Sequence, residues 1–268
     1  MNEAKAINVE IDGHVAWLNL CRPERRNAMG MTFFKELTEH FRRIDEDSTV
    51  RAVVIRAEGK SFTAGLDLME AGAMLIGNGA DDREHLREKI LELQESNNAI
   101  ERCRKPVVAA VHGHCLGGGV DLLSACDIRL ASADALFSIR ETRIAIIADL
   151  GTLQRLPHII GHGWFRELAL TGRDFTADEA LQMGFVTRVC ENRDALIEAA
   201  GDLAQEIAGL APFTVQGVKE VINYSRDNGV YSGLTYVAQK NAAAMPSEDL
   251  MEAVTAFMEK RDPVFQGK

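Results

Sequence analysis

The amino-acid sequence predicts an α/β body closed by a helical tail, and three observations carry that reading. Short apolar runs alternate with segments of helical period through roughly the first 190 residues. From about Asn192 onward only helical patterns remain, punctuated by Pro212, Pro246 and Pro263. With 268 residues and 46% apolar content, the chain is long enough for a sizeable core.

The elements follow in order. "AINVEIDGHVAWLNLCRP" reads as a β-hairpin, two alternating runs around Asp12-Gly13. Phe33, Phe34, Leu37, Phe41 and Ile44 recur at helical spacing, which predicts a helix from Thr32 to Asp45. "RAVVIRAEG" is a short buried strand ended by Gly59, and Arg83 to Arg104 a long charged helix with a thin apolar stripe. "KPVVAAVHG" gives another strand, "GGGVDLLSACD" opens a helix, and "DIRLASADALFSI" gives two more strands. Two-strand-then-helix units thus recur without a sequence repeat. In the tail, helices are predicted over Ala195 to Leu210, Thr214 to Ser225, Tyr231 to Ala244 and Glu248 to Lys260. Several are too apolar for a solitary layer, which points to an oligomer.

Composition narrows the function. No apolar run reaches the ~18 residues that a membrane span needs. A net charge of −10 argues against a general nucleic-acid binder, which depends on basic surface. The N-terminus is too polar for a secretory signal. The five cysteines, Cys21, Cys103, Cys115, Cys126 and Cys190, are scattered, as suits reduced thiols, and a cytoplasmic location is expected. Neither His112 and His114 nor His158 and His162 have partners at ligand spacing, so no metal site is expected.

Two glycine-bearing loops stand at strand-to-helix transitions, "SFTAGLDL" and "HGHCLGGGVDL". Glycine lets backbone approach a ligand and turn its N–H groups outward, and a helix start adds partial positive charge. Two such loops converging would form an oxyanion hole for a polarised carbonyl. Neither matches a phosphate-cradling P-loop, and no G-x-S-x-G is present for a serine hydrolase. In "ETRIAIIADLGTLQRLP", Glu141 and Asp149 flank aliphatic residues. A buried carboxylate there is paired, caps a helix, or holds its proton at raised pKa for use.

Taken together, "RPERRNAM", "GKSFTAGLDL", "KPVVAAVHGHCLGGGVDLLSACDIRLAS", "ADLGTLQRLPHIIG" and "ALTGRDFTADEALQMGFVTRV" resemble the successive signatures of the crotonase, or enoyl-CoA hydratase/isomerase, superfamily. The resemblance runs from about residue 7 to "FMEKRDPVFQG". Among its subfamilies the chain is most similar to the Δ3,5-Δ2,4-dienoyl-CoA isomerases, which have Asp after the glycines and "AD-x-GTLQRLP". The resemblance implies a spiral of ββα units over residues 1–195 carrying an acyl-CoA site. It also implies a helical region over 196–268 that makes trimers or dimers of trimers. It maps the two oxyanion donors to the N–H groups of Leu66 and Gly118, and the CoA arm to Ala64, Gly65, Leu66, Asp67 and Leu68, with Gly118 and Gly119 against the substrate. Arg25, Arg26 and Lys260 become partners for the CoA phosphates, solvated surface charge being the equal alternative. Coenzyme A enters as part of the substrate, with no separate cofactor.

Hydratases of this superfamily hold a water between two glutamates. Here the first position is Asp121, one methylene shorter and reaching roughly 1.5 Å less far. The second is Glu141, and Asp149 stands where hydratases usually have Gly. Glu141 and Asp149 match the acid/base pair of the dienoyl isomerases, with Asp149 as base at C2, Glu141 as acid at C6 and Asp121 as a supporting neighbour. The sequence departs from the subfamily at Arg143 and Ala145, where an acidic residue and Gly are usual. An inward-pointing Arg143 would lower the Glu141 pKa. The expected activity is movement of two conjugated double bonds along an acyl-CoA in fatty-acid β-oxidation. The competing readings are an enoyl-CoA hydratase using Asp121 and Glu141, and a non-catalytic binding protein on the same scaffold.

Overall fold

The computed structural model describes residues 5–72 and 79–268; residues 1–4, where the polar N-terminal stretch begins, lie outside them. The hairpin comes first, strands β1 (Ile7–Asp12) and β2 (Val15–Leu20) paired antiparallel. Asp12 stands opposite Val15, so the two-residue turn is Gly13-His14, one residue later than expected. Helix α1 (Met31–Glu46) comes next and buries all five residues of the expected stripe. After it stand β3 (Ala52–Ala57), the short α2 (Leu68–Gly72) and the long α3 (Ala80–Arg102).

The centre of the chain contains β4 (Val107–Val111), β5 (His114–Leu116), α4 (Gly118–Ala125), β6 (Ile128–Ser132) and β7 (Leu136–Ser138). A 3-10 turn over Glu141–Ile144 leads to α5 (Thr152–Arg155) and α6 (Pro157–Thr171). Then come β8 (Asp174–Thr176), α7 (Ala177–Gln182) and β9 (Arg188–Cys190). The chain closes with α8 (Arg193–Gly209), α9 (Pro212–Asn228), α10 (Val230–Ala244) and α11 (Glu248–Glu259).

The large sheet runs β1-β2-β3-β4-β6-β9, and every pair after the hairpin is parallel. A second layer forms from extended segments that leave the large sheet. Met29 bridges Leu66, Thr63 bridges Cys115, β5 pairs β7 in parallel, and β8 closes the layer antiparallel. Each turn of chain therefore lays one strand in the large sheet, one extended piece in the small layer, and then a helix. That is the expected ββα spiral, advancing one strand per turn.

Both faces of the large sheet are covered, which is why its inner strands read as continuous apolar runs. In β4, Val107, Ala109 and Val111 face the main core with α1, α3 and the small layer, while Val108 and Ala110 face the other side. That other side is covered by α8 through Leu196, Ala200, Ala204 and Ala208. The expected 195/196 division thus falls inside a helix that lies on the sheet, and α9 to α11 follow it. Those three expose Ile222, Tyr231, Leu234, Met251 and Phe257.

Candidate active site

The site forms where the small layer turns into helices. Residues 62–67 run as an extended strip between two neighbours. On one side Phe62 and Thr63 donate to the carbonyls of His112 and His114, both at 2.9 Å. On the other, Met29 donates to Gly65 O at 2.8 Å and Asp67 donates to Met29 O at 2.9 Å. Thr63 Oγ1 donates to Asn27 O at 2.7 Å and accepts from Gly65 N at 3.0 Å, which fixes the bend. Gly65 has φ +85°, and a side chain there would press on Leu116 O at 2.6 Å. Only glycine meets both demands.

The Leu66 N–H is skipped by this ladder and meets no acceptor among the described residues. Gly118, the first residue of α4, likewise leaves its N–H free, as helix starts do. The two groups are neighbours. A Cβ built on Gly118 would stand 3.9 Å from Leu66 N, and one on Gly65 would stand 3.6 Å from Gly118 N. Gly119 has no room for a side chain, since one would overlap Thr63 and Cys115. The expected pair of donors is therefore brought together, at the positive end of α4.

Three carboxylates gather beside them. Glu141 reaches the glycine turn, its Oε1 lying 3.1 Å from where a Gly117 side chain would begin. Its Oε2 is buried without a hydrogen-bond partner. Asp121, on the first turn of α4, is 1% exposed, and its Oδ1 accepts the Thr152 N–H at 2.7 Å. Asp149 is half-buried in the loop between the 3-10 turn and α5. That loop is held from α3, with Gln94 Nε2 donating to Asp149 O at 2.7 Å and Asn97 Nδ2 to Leu150 O at 3.0 Å.

Burial raises all three, and neighbouring charge adds to the rise of Asp121 and Glu141. Burial raises Asp149. Burial, with the Asp149 charge added, pushes Asp121 up to about 6 against the opposing hydrogen bond from Thr152. Burial pushes Glu141 up to about 7, with the charges of Asp121 and Asp149 adding to it. Glu141 thus keeps its proton to higher pH than Asp121 does. Arg143 does not interfere: it is exposed and its Nε donates to Thr171 O at 3.4 Å.

The cations assigned to the CoA arm divide. Arg25 pairs with Asp67 at 3.3 Å and Glu70 at 3.7 Å. Asp67, 6% exposed, also accepts from Met69 N at 3.2 Å and Glu70 N at 3.4 Å, capping α2. Arg26 is exposed with no ion-pair partner among the described residues. Lys260 is exposed at the end of α11, and no hydrogen bond or ion pair joins it to Arg25, Arg26 or the 62–68 loop. Leu68 is exposed beside this cluster. Sequence reasoning missed Thr152, Gln94 and Asn97, whose roles depend on contacts across the fold.

Comparison with known proteins gives the family. Residues 10–268 match the family described as Enoyl-CoA hydratase/isomerase. The mouse protein named Delta(3,5)-Delta(2,4)-dienoyl-CoA isomerase, mitochondrial, is 46% identical over 93% of this chain and 78% of its own. A peroxisomal dienoyl-CoA isomerase of Arabidopsis thaliana is 44% identical over 97% of this chain and 95% of its own. Among solved structures, the enoyl-CoA hydratase of Bacillus anthracis superposes with a TM-score of 0.90 at 32% identity, covering 98% of this chain and all of its own. The cytoplasmic expectation does not survive these relatives, which are named for mitochondria and peroxisomes. Reduced, scattered cysteines are compatible with those compartments too, so thiol usage had no power to separate them.

Proposed function

We propose that this chain, which belongs to the enoyl-CoA hydratase/isomerase family, is a dienoyl-CoA isomerase of fatty-acid oxidation, converting a 3,5-dienoyl-CoA to the 2,4-dienoyl-CoA. The observation that carries this reading is the gathering of Glu141, with its buried and unpartnered Oε2, and the half-buried Asp149 beside two free N–H groups. The thioester oxygen accepts from Leu66 N and Gly118 N. Asp149, ionised, takes a proton from C2, and the electrons pass into a dienolate whose charge rests on that oxygen. Glu141 holds its proton near neutral pH and delivers it to C6. One proton leaves and one returns, so the step consumes no redox equivalent or added cofactor beyond the CoA of the substrate. Arg26 is the cation free to meet the CoA phosphates, whereas Arg25 must first leave Asp67.

Asp121 supports this reading over water addition. One of its oxygens is committed to Thr152 N, so it is poorly placed to share a water with Glu141. The assembly we propose is a homotrimer or a dimer of trimers, supported by the apolar residues exposed on α9 to α11. Sedimentation showing only monomer at micromolar concentration contradicts it. The activity is tested by offering purified protein a 3,5-dienoyl-CoA and a 2-enoyl-CoA side by side. Growth of a 2,4-dienoyl chromophore from the first is expected. Loss of the 2-enoyl absorbance, with the dienoyl substrate untouched, overturns the isomerase reading in favour of a hydratase.

A further inference from the structure

The loop that carries Asp149 has no regular structure of its own between Ala145 and Gly151. Its position is set from α3. Gln94 donates to Asp149 O and Asn97 to Leu150 O. Asn98 Oδ1 accepts from Arg155 Nη2 at 2.7 Å, and Glu101 Oε2 pairs with the same nitrogen at 3.0 Å. Positions 94, 97, 98 and 101 are spaced i, i+3, i+4 and i+7, so they form one stripe down one face of the helix. The stripe grips both ends of the 149–155 segment.

We infer that the stripe Gln94, Asn97, Asn98 and Glu101 is a positioning device for the proton-transferring loop, with Gln94 fixing the height of Asp149. The physical reason is the scarcity of other anchors. Asp149 O and Leu150 O receive their hydrogen bonds from side-chain amides and not from a sheet or helix ladder. A buried carbonyl that loses its donor must find another or move toward water. Moving Asp149 by about 1 Å is enough to cost on the order of a hundredfold in a proton transfer. Glu101 extends the device, because its Oε1 also pairs with Arg226 on α9. The stripe therefore ties the loop to the helical region as well as to the body.

The inference rests on the isomerase reading only for the role of Asp149, and two measurements separate them. Gln94→Met keeps the side-chain length and removes the donor. Amide hydrogen exchange across residues 149–155 should quicken at least tenfold in this variant while α1 and the large sheet stay protected. Unchanged exchange overturns the positioning role, whatever the enzyme does. Kinetics then form a cycle. Gln94→Met should lower kcat ten- to a hundredfold with KM within threefold. In an Asp149→Asn background it should cost less than twofold more, because the residue being positioned is already disabled. The same loss in both backgrounds means that Gln94 acts on stability or elsewhere, and overturns the inference while leaving the isomerase reading intact. Full activity of Asp149→Asn alone sinks the base assignment, and the exchange result still decides the positioning role. Should Gln94→Met fail to fold, Gln94→Asn, which withdraws the amide by one carbon, is expected to show the same two effects at smaller size. Wild-type exchange and kcat in that variant overturn the proposal equally.

Discussion

Asp121 Oδ1 accepts a hydrogen bond from the backbone N–H of Thr152 at 2.7 Å, joining the first turn of α4 to the first turn of α5. The bond takes a carboxylate standing at a hydratase position and makes it a strut between two helices. It also leaves a charge close enough to raise Glu141. Asp121 thus acts on the acid without touching the substrate in the proposed reaction.

Asp121→Asn should separate those effects. The amide oxygen still accepts from Thr152 N, and the charge is gone. Isomerase turnover at pH 7 is expected to stay within about tenfold, and the basic limb of the kcat profile should move to lower pH as Glu141 loses a repelling neighbour. Water addition by an Asp121–Glu141 pair would instead be abolished, so a variant that loses activity at every pH speaks for the hydratase.

Gly118→Pro tests the oxyanion pair. Proline is tolerated at the first position of a helix, where the N–H has no helical partner. The added ring meets Met29 Sδ, 3.3 Å from the new Cβ, which is the flexible end of a side chain. The fold should therefore survive while one donor disappears, and kcat should fall on the order of a hundredfold or more. Undiminished turnover in a folded variant would place the thioester oxygen elsewhere.

Much of this was legible in the sequence, for identifiable reasons. The glycine loops were visible because a positive φ at Gly65 and the contact of Gly119 with Thr63 and Cys115 leave no other residue type acceptable. The stripe of α1 was visible because burial on one helical face imposes its period. The grip of α3 was not visible, since Gln94, Asn98 and Glu101 lie on a helix that shows only charge and a thin apolar stripe until the 149–155 segment is laid against it. The packing of α8 was hidden for a similar reason: its Ala-rich face shows a helix, not the sheet beneath it. Arg25 read as a phosphate partner because its pairing with Asp67, 42 positions away, is a product of folding. Ala145 is the reverse case. It sits at φ +58°, the conformation that explains the glycine usual there, and bears a strain of about 1 kcal/mol.

Glu141→Gln reads the raised pKa through stability. The folded value of about 7 lies above the ordinary 4.5, so the folded state binds more protons than the unfolded chain between those limits. Wild-type stability is therefore undiminished by this group below about pH 4.5 and falls as pH rises through 7. Gln removes the titration. The variant should gain on wild type at pH 8 by up to about 3 kcal/mol, and show no such gain at pH 4.5. Isomerisation should be lost at both, with exchange of the C2 proton retained, because Asp149 still works. Equal stability differences at the two pH values would mean that Glu141 titrates normally.

Asp149→Asn separates a proton acceptor from a structural carboxylate. Asn keeps the shape, and the backbone carbonyl still receives Gln94 Nε2. Thermal stability should change little, since Asp149 forms no ion pair among the described residues and its charged form is already disfavoured by burial. Turnover of a 3,5-dienoyl-CoA should nevertheless fall by several orders of magnitude, because an amide cannot take the C2 proton. A helix cap predicts the opposite, as Asn caps nearly as well as Asp and activity would survive. In deuterated buffer the wild type should place label at C6 of the product, and the variant should no longer exchange the C2 proton of bound substrate. Retained C2 exchange in Asp149→Asn would transfer the base role to Glu141 or Asp121, the two other carboxylates whose titrations are coupled to its own.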